Sequence, residues 1–301
     1  MSKPIPIAVL ISDLHLTLQP PACRKDIDWM AVQAHYLFQV KSHKLPVVCA
    51  GDVFDRWNPP PELINFALRY LPDRMISVPG QHDLPLHRRD LVHRSGYGVL
   101  MQAEKITDIS EGGCVAHDNG FVAYGFGWNE PIEPLGETNK GRKAVVNLAV
   151  IHRYCWTEDH KYPGAPEEGA VTAFRKSLKG YDAAVFGDNH KGFLSAAGDC
   201  PVLNCGGFIR RKSDEIDYRP GYGILYSNGA IKRQYFNTDI DVFHAAEDVK
   251  PEVAFDMSSF VAGLESLGES GMDFRTAVEE HLKKNDLPPG TKEIILTALG
   301  S

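Results

Sequence analysis

Apolar runs that stop abruptly at a glycine, a carboxylate or an imidazole set the pattern of the first two thirds of this chain. Pro6 to Ser12, Leu45 to Ala50, Met75 to Val78, Val145 to Ile151 and Ala183 to Phe186 each read as a short buried strand. Between the first two, Ile27, Met30, Ala31, Ala34, Leu37 and Phe38 share one helical stripe. A second helix is predicted from about Pro61 to Leu71, whose prolines suit a first turn. This alternation of strand and helix favours a largely parallel sheet covered by helices, an α/β fold. Glu167 to Leu178 predicts one more helix before the last of these strands.

From Gly192 the texture changes to short β-rich runs, Pro201 to Asn204, Tyr222 to Tyr226 and Ile231 to Phe236, with a turn at Ser227-Asn228-Gly229. They predict a second sheet packed near the first. Around Asp239 to Pro251 the chain is acidic and poorly periodic. Three helical stretches then follow, Ser258 to Leu267, Asp273 to Lys284 and Thr291 to Leu299, with apolar stripes too extensive for isolated helices. The expected division is a catalytic domain over 1–238 and a linker with a C-terminal helical region over 239–301.

Composition narrows the class without choosing a function. Hydrophobic residues make up 43% and charged residues 24% of the 301, as in ordinary globular proteins, so disordered and fibrous classes are excluded. No apolar stretch is long enough to cross a bilayer, and the first residues lack a signal-peptide pattern, so a cytoplasmic, non-membrane protein is expected. Six scattered cysteines without a Cys-x-x-Cys pair argue for thiols. The net charge of −7 gives no global pull toward nucleic acid, which leaves local clusters such as Arg88, Arg89, His93 and Arg94, or Arg210, Arg211 and Lys212, to guide a phosphate chain.

The candidate chemistry sits where the strands end: Asp13-Leu-His15, Gly51-Asp52 with Asp55, Gly80-Gln81-His82-Asp83, His152, and Gly187-Asp188-Asn189-His190. Open α/β folds place their sites at such ends. Two divalent ions can clamp a phosphoryl group and activate a water between them, given one bridging carboxylate and several O and N ligands. Asp52, after its glycine, is the natural bridge. Asp13, His15 and His190 would complete one ion's ligands, and Gln81, His152 and Asp188 the other's. His82 is then left as general acid, with Asp83 as its orienting partner. Arg210 could clamp a phosphate oxygen through its planar fork, or pair with Asp214 or Glu215. Trp128 could stack on a base or pack its loop onto the body, and His87, His93, His117 and His160 read more plainly as surface or core residues.

In order and type these segments resemble the motifs of the calcineurin-like metallophosphoesterase superfamily, over Asp13 to His190. Gly51-Asp52-Val53-Phe54-Asp55 with Pro59, and the turn Asn204-Cys205-Gly206-Gly207-Phe208-Ile209-Arg210, are similar to the branch of SbcD-type DNA repair nucleases. The resemblance implies a two-sheet αββα sandwich and a metal-dependent phosphodiesterase, an exo- or endonuclease using Mn2+ or Mg2+. It also implies DNA as partner and a C-terminal region that caps the DNA-binding face or docks a coiled-coil ATPase; a homodimer is compatible with it. Gln81 stands where the family has Asn, and Asp188 where it has His. The added carboxylate favours hard ions such as manganese or magnesium and weakens the pull on phosphate. A phosphatase or cyclic-nucleotide phosphodiesterase acting on small molecules or phosphoproteins, and a scaffold whose catalysis these two exchanges eroded, are the competing expectations.

Overall fold

The computed structural model describes residues 3–136, 145–212 and 215–244. The chain divides into two compact units, Met1–Val249 and Lys250–Ser301. The three C-terminal helices expected from sequence lie outside the described residues.

The strands are β1 (Pro6–Ile11), β2 (Val47–Cys49), β3 (Met75–Ser77), β4 (Ile106–Asp108), β5 (Cys114–His117), β6 (Phe121–Phe126), β7 (Val146–His152), β8 (Ala183–Gly187), β9 (Phe193–Ala197), β10 (Cys200–Asn204), β11 (Gly221–Tyr226) and β12 (Ile231–Tyr235). The helices are α1 (Trp29–Lys41), α2 (Pro61–Tyr70) and α3 (Gly96–Gln102). Two six-stranded sheets result, ordered β12-β11-β1-β2-β3-β4 and β5-β6-β7-β8-β10-β9. The first is parallel from β1 to β4 and antiparallel at its β11–β12 edge; the second is parallel from β6 through β10 and antiparallel at both edges.

Side-chain alternation along each strand assigns the layers. In β1, Ala8 and Leu10 enter the core between the sheets, while Val9 and Ile11 enter the core under the helices. Leu148 and Val150 of β7 likewise meet Ala183 and Val185 of β8 between the sheets, and their neighbours Ala149, Ile151, Ala184 and Phe186 face outward into a third cluster. A strand buried on both faces must be apolar at every position, which is why these runs are so legible. Burying each such Val, Leu or Ile stabilises the fold by about 1.5–3 kcal/mol.

Three expectations need correction. The late strands do not form a sheet of their own: β11 pairs antiparallel with β1, β10 pairs parallel with β8, and the second sheet is founded on β5 and β6, which sequence reading passed over. The helix expected over Glu167 to Leu178 is instead two 3-10 turns, Glu167–Gly169 and Val171–Arg175; Val171 and Phe174 within them and Leu178 just after are still buried. Helix α1 turns a different face inward. Trp29, Val32, Gln33, Tyr36, Leu37 and Val40 are buried, whereas Phe38 is 69% exposed. The physical reason is polar: Gln33 is held by Thr17, accepting from its N–H and donating to its carbonyl, and Tyr36 donates to Asp241.

Candidate metal centre

All five chemistry-bearing segments begin where a parallel strand stops, β1, β2 and β3 in one sheet and β7 and β8 in the other. Beyond β1 and β2 the pairing continues through loops, with Asp13 N–H on Gly51 O and His15 N–H on Asp52 O, both at 3.0 Å. Asp13, His15, Asp52 and Asp188 all have positive φ, at 51°, 42°, 54° and 83°. Non-glycine residues adopt that region at a cost, and they do so repeatedly where the surroundings over-determine a site. Gly80 is required by space: a Cβ there would fall 2.1 Å from Asp52 Oδ1.

Asp52 is fully buried. Its Oδ1 accepts from the His82 N–H at 3.0 Å, while Oδ2, also buried, has no hydrogen-bond partner among the described residues. That orphaned oxygen lies 3.6 Å from His15 Nε2 and 3.5 Å from His152 Nε2, between the two imidazoles. His152 Nδ1 is 2.6 Å from Ala50 O; a proton there donates to the carbonyl and leaves a lone pair on Nε2. That lone pair faces Gln81 Oε1 at 2.7 Å. On the other side His15 Nε2 and His190 Nε2 meet at 3.1 Å, within a group formed with Asp13. Lone pairs converging on one another, with a bare buried carboxylate oxygen between them, fit cations. A backbone carbonyl fixing the remote nitrogen is also how metal-binding histidines are held.

The electrostatics agree. Burial, opposed by the charge of His152 and reinforced by that of Asp52, raises the Asp13 carboxyl to about 7. Burial, then the Asp83 charge, pushes Asp52 well above the ordinary carboxylate range. Burial together with the neighbouring His190 lowers His15, and burial with Lys212 and Arg211 lowers His190 to about 4. Buried acids that resist ionising and imidazoles that stay neutral become ligands readily once a cation supplies the missing charge.

The structure thus brings Asp13, His15, Asp52, Gln81, His152, Asp188 and His190 into one constellation, and His82 to its rim. His82 is exposed, its ring edge-on to His15 at 4.8 Å between centroids. Two expected roles are not met. Asp83 does not orient His82. Its buried carboxylate accepts from the N–H groups of Val53, Phe54 and Gly80, tying two ligand loops together, while His82 Nδ1 bonds Asp55 O at 2.8 Å. Arg210 turns away from the centre to Asp241 Oδ2 at 2.9 Å and Ile216 O at 2.6 Å, its neighbours in the closing loops rather than Glu215. Asp55 and Arg211, bonded to each other beside His15, were the residues to single out; adjacency of two arginines in sequence gives no signal for which one turns inward.

Of the remaining candidates, the ring of Trp128 lies 6.2 Å from that of His152 and 6.3 Å from that of His87. His117 stacks on Phe121, and His160 bonds Thr157, so both are structural. The cluster at Arg88 and Arg89 is internally neutralised by Asp90 and Asp108.

Two six-stranded sheets whose strand ends gather buried carboxylates, imidazoles and an amide fit the class of metal-dependent phosphoesterases. The sequence profile of the calcineurin-like phosphoesterases matches residues 8–192, and the chain belongs to that family. No curated protein matches the chain significantly. Among solved structures it is similar to a novel archaeal phosphodiesterase (14% identity, TM-score 0.38, covering 76% of this chain and 99% of that one). It is similar also to the phosphopantetheinyl hydrolase of Mycobacterium tuberculosis (13%, 0.41, 76% and 95%). A third is a metallophosphoesterase from Sphaerobacter thermophilus (12%, 0.36, 76% and 87%).

Proposed function

We propose that this phosphoesterase is a manganese-dependent phosphodiesterase acting on DNA, an exo- or endonuclease of the repair type. The observation that carries the metal-dependent phosphoesterase reading is the Asp52 Oδ2 atom, buried, unpartnered and placed between His15 and His152. Asp13, Asp52, His15 and His190 on one side, and Asp52, Gln81, His152 and Asp188 on the other, would hold two divalent ions, which supply neutralisation of the phosphoryl oxygens and an activated water. Three carboxylates in that set favour a hard ion, which supports manganese or magnesium.

His82 supplies the proton. With Nδ1–H directed at Asp55 O, its Nε2 is left for a second proton, which the imidazolium gives to the departing oxygen. Exposure of His82 at the rim keeps it in exchange with solvent, as repeated turnover requires. The DNA reading rests on the resemblance of the Asp52 loop, on Arg211, bonded to Asp55 beside His15, and on Trp128, whose ring lies 6.2 Å from that of His152. A strand whose phosphates meet the cations and whose bases meet the aromatic ring fits that arrangement.

The test is hydrolysis by the manganese-loaded protein of single- and double-stranded DNA, a bis(p-nitrophenyl) diester and the p-nitrophenyl monoester. Cleavage of DNA and diester well above monoester is expected. Monoester turnover without DNA cleavage would reassign the protein as a phosphatase. Fewer than one bound ion and no turnover on any ester would make it a scaffold.

A further inference from the structure

The loop after β10 is attached directly to the centre. Gly207 donates its N–H to His190 O at 3.1 Å, and Phe208 donates to Asp13 O at 3.2 Å. Beyond them the two arginines diverge. Arg210 is consumed by Asp241 and by a backbone carbonyl, and its guanidinium also lies over the Phe243 ring at 4.9 Å. The next side chain has different partners. Arg211 N–H bonds Glu215 Oε2 at 2.6 Å, and the guanidinium reaches Asp55 through one amino group. Asp55 Oδ1 is in turn 3.7 Å from His15 Nδ1, so the guanidinium stands one carboxylate away from a metal-binding imidazole.

Arg211 is under-used by the protein. One amino group is bonded to Asp55, but Nε is buried without an acceptor among the described residues, and the other amino group has no described acceptor either. The side chain is 22% exposed, so part of it is open to solvent. A buried guanidinium N–H left unsatisfied costs free energy that an anionic oxygen would recover. Its place is set by Asp55, whose Oδ1 it shares with the edge of the His15 ring.

We infer that Arg211 is a substrate-binding residue of this centre, its free guanidinium donors holding a non-bridging oxygen of the phosphoryl group while Asp55 fixes its orientation. The inference rests on the phosphoesterase reading and deepens it. A planar fork already aimed by one carboxylate loses little entropy on taking a phosphate oxygen, which a lysine's single charge would do less specifically.

Inorganic phosphate is the probe. With the manganese-loaded full chain, Arg211→Ala is expected to raise the inhibition constant of phosphate and the KM for the bis(p-nitrophenyl) diester about tenfold or more, the size of one charge-assisted hydrogen bond. Bound metal per chain and the thermal midpoint should stay unchanged. Arg211→Lys should recover part of the loss and serves as the test should the alanine variant not fold. Wild-type phosphate affinity in both variants would overturn the inference. So would a loss accompanied by metal release, because Arg211 would then merely prop Asp55 against His15. Were the wild type inactive on every ester, the phosphodiesterase reading would fall, and calorimetric titration of phosphate would still decide whether Arg211 binds it.

Discussion

Gln81 and Asp188, 107 positions apart, are hydrogen-bonded to each other: the amide donates from Nε2 to Asp188 Oδ1 at 2.9 Å while its Oε1 faces His152 Nε2 at 2.7 Å. These are the two positions at which the chain departs from the pattern it resembles. Their contact makes them one arrangement, a longer amide arm meeting a shorter carboxylate arm. The amide competes with a cation for both neighbours, so the ion on this side should be the more weakly held. Manganese titration by calorimetry should therefore resolve two unequal sites. Gln81→Ala should weaken the weaker one by about tenfold or more, as loss of a ligand-orienting group does, and leave the site of Asp13, His15 and His190 intact. A two-site isotherm unchanged in the variant would remove Gln81 from the ligand set.

His82→Ala should separate chemistry from metal binding. The ring meets the protein through its Nδ1 contact with Asp55 O and its edge against His15, so its removal leaves the ligands in place. Turnover of an ester with a poor leaving group should fall by about two orders of magnitude or more, the usual worth of a general acid. Turnover of the p-nitrophenyl diester, whose leaving group needs little protonation, should fall much less. Equal losses on both would show that His82 binds rather than protonates.

Metal removal should destabilise the protein, and more so at high pH. Asp13, raised to about 7 by burial, binds a proton more tightly folded than unfolded. Without metal, its contribution is therefore fully present below the unfolded value and is lost as pH rises through about 7. The lowered imidazoles oppose this with the reverse sign, but they are neutral with or without metal and cancel in the difference. The gap in thermal midpoint between manganese-loaded and chelated protein should accordingly be wider at about pH 8 than at about pH 5.5. A gap independent of pH would remove Asp13 from the metal-linked groups.

Asp241→Ala should be severely destabilising although the residue lies outside the sequence-based catalytic boundary at 238. Its carboxylate bonds Arg24, Tyr36 and Arg210, and the Arg24 side chain is completely buried. Removing one member of a buried charge pair costs about 3–5 kcal/mol, to be read from chemical denaturation. A change below about 1 kcal/mol would mean that Asp26, which also pairs with Arg24, suffices alone.

Sequence alone determined the strands buried on both faces and the polar residues at their ends, because a doubly covered strand tolerates no polar position and the first carboxylate or imidazole marks where it stops. That logic marks Asp13, His15, Asp52, Gln81, His152, Asp188 and His190 as candidates at the strand ends without coordinates. It could not see which sheet β10 and β11 would join, since pairing partners far apart in sequence leave no local trace. It likewise misplaced the inner face of α1, where hydrogen bonds to Gln33 and Tyr36 outweigh the exposed Phe38. Only the tertiary structure turned Arg210 toward Asp241 and Arg211 toward Asp55, and gave Asp83 to three backbone amides instead of to His82. Such choices depend on acceptors supplied by distant loops, and a side chain's partner is settled by what the fold brings within hydrogen-bond reach.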